Sequence, residues 1–184
     1  MEELSVIELY ISTGNDQENT TVERMLSSVN LDDIVLHTLR TVGITQQVML
    51  TLLITDNDGI RDMNKQYRNI SKATDVLSFP LSEKPLVEAP EDQLWEPQES
   101  DGGAGASAFV SPPGDVLNLG DIVMSWPTLV QQAQDAGHSS LYELLYLLCH
   151  GVLHLVGYDD QTESGYQAMV SLQERILREI GQKA

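Results

Sequence analysis

His150 and His154 stand four residues apart at the end of an apolar run, Leu141-Tyr142-Glu143-Leu144-Leu145-Tyr146-Leu147-Leu148-Cys149, that has the length and composition of a buried helix. Residues four apart on a helix share a face, with Cβ atoms about 5–6 Å apart, so one small cation fits between the two imidazoles. Gly157 follows His154 by three residues and supplies the left-handed position that ends a helix. The chain then turns back, and its spacing brings Asp160, rather than Asp159, to the same point. Two imidazoles on a rigid turn and one carboxylate from a loop leave a fourth position open to water, the layout of a catalytic metal site. A lone histidine on an apolar helix is usually a satisfied core residue. Two at this spacing, with a glycine and a carboxylate following, are harder to read that way.

The spacing His-x-x-x-His-x-x-Gly-x-x-ligand also occurs in metzincin peptidases, which carry a glutamate directly after the first histidine as general base. Here that position is Gly151, which cannot move a proton. The metal site can be shared while the peptidase chemistry is not. Cys149 sits about 100° round the helix from His150 and is expected to pack rather than ligate.

These residues need a scaffold, and the chain supplies its elements in a partly alternating order. Residues 4–11 and 47–54 read as strands, the second nearly continuously apolar as a central strand should be. Between them the apolar period predicts one helix over about 21–41, with a break at Asn30; His37 lies on it as a structural residue. Thr55 or Asp56 caps a helix running to about Tyr67, and a third strand, Val76-Leu77-Ser78-Phe79, stops at Pro80. A fourth strand over 115–125 leads through Pro127 into a helix to about Ala136. The histidine-bearing helix and a last one over about 162–180 follow. The fold class is therefore α+β: about four strands in a mixed sheet with about five helices packed on it, and the metal site on a core helix. The first two β–α–β steps are expected to be right-handed crossovers.

At 184 residues the chain is long enough for one domain with a substantial core. Residues 82–114 differ from the rest: six of the seven prolines fall between 80 and 113, Gly102-Gly103-Ala104-Gly105 lies within, and acids abound. This reads as a flexible acidic insertion too polar to build a core, with Trp95 available to dock it. No run approaches the roughly 20 apolar residues of a membrane span. The acidic N-terminus lacks the order of a signal peptide, and one cysteine fits a reducing cytoplasm.

The formal net charge of −18 disfavours general nucleic-acid binding. Its distribution is uneven. Four of the ten basic residues, Arg61, Lys65, Arg68 and Lys72, fall between 61 and 72. They form either a solvated helix face with i,i+4 partners or a local phosphate-binding spot on an acidic body.

Four stretches together resemble the YbeY family of bacterial endoribonucleases: Asn64-Lys65-Gln66-Tyr67-Arg68, Thr74-Asp75-Val76-Leu77-Ser78-Phe79-Pro80, Leu119-Gly120-Asp121-Ile122-Val123 and residues 150–160. Their order and spacing match as well. The resemblance implies a single-strand-specific, zinc-dependent endoribonuclease acting at the 3′ end of 16S ribosomal RNA, in ribosome biogenesis and quality control. It places His150 and His154 on the family's first two metal ligands and Arg68 on the arginine regarded as essential for cleavage. The family's third ligand is a histidine, whereas this chain has Asp160. A carboxylate ligates zinc at similar distance, but it cancels one unit of the cation's charge. It also opens the site to a harder metal such as manganese or iron.

The expected chemistry is metal-assisted phosphodiester cleavage, with the planar fork of Arg68 steadying phosphate oxygens. Lys65, Lys72 and Ser78 are candidates for holding the RNA. Thr74, Asp75 and Asp121 either line the same cleft or make turn and strand-end hydrogen bonds. Two other classes compete: a metzincin-like peptidase, and a non-catalytic ribosome-assembly factor toward which the acidic charge leans. RNA presented by the small ribosomal subunit, through a ribosomal protein or an assembly GTPase as the resemblance implies, reconciles cleavage with that charge.

Overall fold

The computed structural model describes residues 6–68, 75–97 and 116–182. Four strands, β1 (Ile7–Ser12), β2 (Val48–Thr55), β3 (Val76–Pro80) and β4 (Leu117–Ser125), form one sheet in the order β1-β2-β4-β3. β1, β2 and β4 run parallel, and β3 lies antiparallel to β4 at the edge. Only the first of the two expected crossovers therefore joins parallel neighbours. The second fails because β3 pairs with a strand some forty residues downstream rather than with β2. Pro80 is tolerated because β3 is an edge strand.

Among the described residues six α-helices accompany this sheet: α1 (Asp16–Leu26), α2 (Leu31–Thr41), α3 (Asn57–Arg68), α4 (Trp126–Ala136), α5 (Ser140–Val156) and α6 (Glu163–Glu179). The helix expected over about 21–41 is two helices. Asn15 caps α1 through the amides of Gln17 and Glu18, and Asn30 caps α2 through the Asp33 amide. A side chain that accepts the orphan amides of the next turn starts a new helix more readily than it continues an old one. Among the described residues no single helix is long and apolar enough to cross a membrane.

The two faces of the sheet are used differently. Adjacent strand residues point to opposite faces, so Ile122 and Val123 of β4 serve separate clusters. Val123 and Leu77 pack with Ile60 of α3. Ile122 faces α5, the most buried helix, which touches α2, α4, α6, β3 and β4. Gly151 is where they meet: a Cβ there would lie 2.9–3.1 Å from three carbons of the Ile122 side chain. The residue after His150 is thus glycine because the helix presses on the sheet.

Cys149 is fully buried on another side of α5, with the Thr38 hydroxyl donating to its Sγ at 3.6 Å. Burial pushes its thiol up to about 11 from 9.0. An acid whose pKa rises on folding stabilises the fold fully below its unfolded value and loses that contribution as pH climbs through the folded one. The stability gap between wild type and Cys149→Ala should accordingly narrow from pH 9 to pH 11, as read from melting temperatures across that range. A constant gap would mean the thiol does not titrate with unfolding.

Residues 82–97, the first half of the segment expected to be a flexible insertion, are packed instead, together with Leu81 before them. They strap the C-terminal end of α5. The Leu86 amide donates to the Val156 carbonyl (2.7 Å) and the Trp95 amide to the Gly157 carbonyl (2.9 Å). The Trp95 indole Nε1 donates to the His154 carbonyl at 2.8 Å, and Leu94 bridges antiparallel to Tyr158. Helix C-termini leave carbonyls without intrahelical donors, and this strap supplies them. Val87 is the strap's own buried side chain. Residues 98–114 of that segment lie outside the described residues.

Candidate metal centre

One face of α5 carries Glu143, Tyr146, Leu147, His150 and His154, spaced by three, four or seven residues as one helical stripe requires. Together with β3, α6 and the loop after α5, this stripe walls a cavity of about 440 Å³. Asp75 and Ser78 enter from the β3 side, Asp160 and Gln161 from the loop, and Tyr166 and Gln173 from α6. The three expected ligands thus line one volume, and Ser78 and Asp75 join them.

Asp160 reaches back as its spacing requires: its Oδ2 lies 3.8 Å from His150 Nε2. Two ligands on one tetrahedral zinc stand about 3.3 Å apart, from bond lengths near 2.0–2.2 Å. The pair is therefore about half an ångström wide of a closed site. Among the described residues no three His, Cys, Asp or Glu side chains already stand close enough together to hold an ion. The donor chemistry nevertheless fits a cation. Asp75, Glu143 and Asp160 face the cavity with two imidazoles, and none of the described residues lining it is a lysine or arginine.

The loop that carries Asp160 is held from both sides. On one side its Asp159 amide donates to the Gln93 carbonyl of the strap at 3.0 Å. On the other, Gly165 of α6 lets the Asp159 carbonyl approach so closely that a Cβ there would sit 2.0 Å from its oxygen. Thr162 caps α6 through the Gly165 amide (2.9 Å) and donates to the Asp92 carbonyl. The loop carrying Asp160, the strap and the last helix are one hydrogen-bonded unit.

A polar network lies beneath the histidines. His138 Nε2 is 2.5 Å from Glu143 Oε2, both side chains nearly buried. The Gln132 amide, turned with its nitrogen toward the carboxylates, donates to Glu143 Oε1 (3.1 Å) and Asp75 Oδ2 (3.2 Å). These contacts tie α4, the start of α5 and the start of β3 around the cavity floor. The sequence reading left Glu143 out. Its signal was present: it is the lone acid in the apolar run, seven residues before His150 and so on the same face. Burial pushes Tyr146, on that stripe, up to about 12.

Other expected residues stand elsewhere. Asp121 is exposed on β4 opposite Phe79, on the α3 face of the sheet, and does not line the cavity. Lys65 is exposed on α3, which packs on that same face. Arg68 is the last residue of α3, its side chain outside the described residues, as are Lys72 and Thr74 entirely. His37 is a structural contact, 3.7 Å from Glu179 across α2 and α6.

The family profile described as "Endoribonuclease YbeY" matches residues 12–181. A protein of that name from Moorella thermoacetica is 36% identical over 92% of this chain and 96% of its own length. Another from Desulforamulus reducens is 37% identical over 94% and 98%. A third, from Clostridium botulinum, is 34% identical over 91% and 95%.

Proposed function

Since the chain belongs to the endoribonuclease YbeY family, we propose that it cleaves single-stranded RNA with a metal ion held by His150, His154 and Asp160. The observation that carries this reading is the convergence of those three side chains on one acidic-lined cavity, with His150 and Asp160 already 3.8 Å apart. The ion is zinc; bound there it would supply Lewis-acid chemistry and an activated water. The chain's own groups do the rest. Arg68 neutralises charge growing on the attacked phosphate, a role suited to its bidentate fork. Lys72 holds a flanking phosphate, and Ser78 donates to the strand within the cavity. The His138–Glu143–Gln132 network keeps the α5 face in register with β3.

The substrate is ribosomal RNA at the 3′ end of 16S RNA, cleaved on the small subunit in the cytoplasm during ribosome biogenesis and quality control. A net charge of −18 repels free RNA, so a ribosomal protein or an assembly GTPase presents it. The same charge supports a second reading, a non-catalytic assembly factor. A peptidase is disfavoured because Gly151 replaces the general-base glutamate.

Elemental analysis of the purified chain, paired with an assay on single-stranded RNA with and without chelator, separates these readings. One zinc per chain and cleavage abolished by chelator are expected. Cleavage that persists after the metal is stripped sinks the metal assignment, and particle binding without any cleavage favours the assembly-factor reading.

A further inference from the structure

A second hollow, of about 300 Å³, adjoins the first and shares Ser78, His154 and Gln161 with it. That volume is at the lower end of small-molecule sites, roughly 300–1,000 Å³. Its far wall is Trp95 of the strap, with Glu96 and Asp159 beside it. We propose that this hollow is a nucleobase subsite, in which the base next to the cleaved phosphate stacks on Trp95. The inference rests on the RNA-cleaving reading above and extends it to how the strand is gripped.

Three observations support it. The indole is pinned before any ligand arrives: its Nε1 donates to the His154 carbonyl and its own amide to Gly157 (2.8 and 2.9 Å). A preorganised aromatic surface needs little further ordering to bind, and its use of Nε1 leaves stacking through the ring face. The lining discriminates as well. Among the described residues around the hollow none is a lysine or arginine and two are carboxylates, which repel a phosphate but accept from the ring and exocyclic N–H groups of a base. Finally, the shared residues put the hollow one step from the candidate metal cavity, so a strand with its phosphate at His154 has an adjacent base within reach of Trp95.

Stacking of a base on an aromatic side chain is sequence-tolerant, and its loss on alanine substitution weakens binding by about tenfold or more per base. The test uses the full chain in chelator, so that binding is read without cleavage, with hexaadenylate RNA as probe. Trp126, the other tryptophan, is buried, and Trp126→Phe removes its emission. In that background the RNA should quench Trp95 fluorescence saturably, and inorganic phosphate should not. By anisotropy of a labelled strand, Trp95→Ala should weaken binding about tenfold. Trp95→Phe, which keeps a stacking face but loses the bond to His154, should stay within about threefold of wild type. Equal weakening by both variants means that Trp95 acts as a helix cap, and quenching by phosphate makes the hollow an anion site; either overturns the subsite. Unchanged binding in both variants, in a chain that still cleaves RNA, overturns the subsite alone. A wild type that neither binds nor cleaves RNA overturns the RNA-cleaving reading with it.

Discussion

Alanine at position 154 should abolish both bound zinc and RNA cleavage, whereas alanine at position 68 should abolish cleavage and leave the zinc in place. His154 lies on the wall between the two hollows, and its carbonyl, not its ring, holds Trp95. Under the proposed ligand set the substitution removes a metal donor while the strap keeps its anchor, and the melting curve should change little. With two donors left, the ion should exchange into chelator during dialysis and cleavage should fall to background. Loss of the Arg68 guanidinium should cost about 10²–10³ in kcat, the range for removing one preorganised electrostatic contact in other enzymes. The pair of measurements, metal content and single-turnover cleavage, separates the two roles. Robust cleavage by Arg68→Ala removes the assignment of that arginine, and full zinc retention by His154→Ala removes that histidine from the ligand set.

Gly165→Ala should damage the site from outside it. The added methyl would stand 2.0 Å from the Asp159 carbonyl oxygen and 3.1 Å from the Thr162 hydroxyl. Backbone cannot be approached that closely, so either α6 or the loop carrying Asp160 must move. Overpacking of this kind costs about 1–3 kcal/mol, a loss of several degrees in melting temperature for a chain of this size. The larger effect should be on metal affinity, because the loop is the lighter of the two partners and Asp160 travels with it. Zinc titration of the stripped variant against wild type tests this. A destabilised variant with unchanged zinc affinity would show that α6 yields instead.

The parts of the site legible in the sequence were those written locally. His150, His154 and Asp160 sit within one helix turn and the following loop, so spacing alone brings them to one cavity. The helices of the second half announce themselves through caps at Ser125, Ser139 and Thr162, all of which bond to amides of the next turn. The first turn of α1, Asp16 to Thr20, is entirely polar. It carries no hydrophobic period, and so the helix was expected to begin later. Long-range placement was not written locally. Nothing in Val76-Leu77-Ser78-Phe79 states whether it runs with or against its neighbour, since that neighbour is β4. The strap was hidden for a related reason. A stretch rich in proline and glutamate looks solvated, yet Val87, Leu94 and Trp95 suffice to hold it because the end of α5 offers carbonyls in need of donors.

The antiparallel ladder between β3 and β4 is closed by everything from residue 81 to residue 116. Closure entropy grows only with the logarithm of that distance, so doubling the intervening chain costs about 0.6 kcal/mol. Residues 81–97 cannot vary in length without ungluing the helix end they cover. A residue inserted or removed between Leu86 and Trp95 should therefore loosen the end of α5 that carries His154, through lost donors to the Val156, Gly157 and His154 carbonyls rather than through any change in closure entropy.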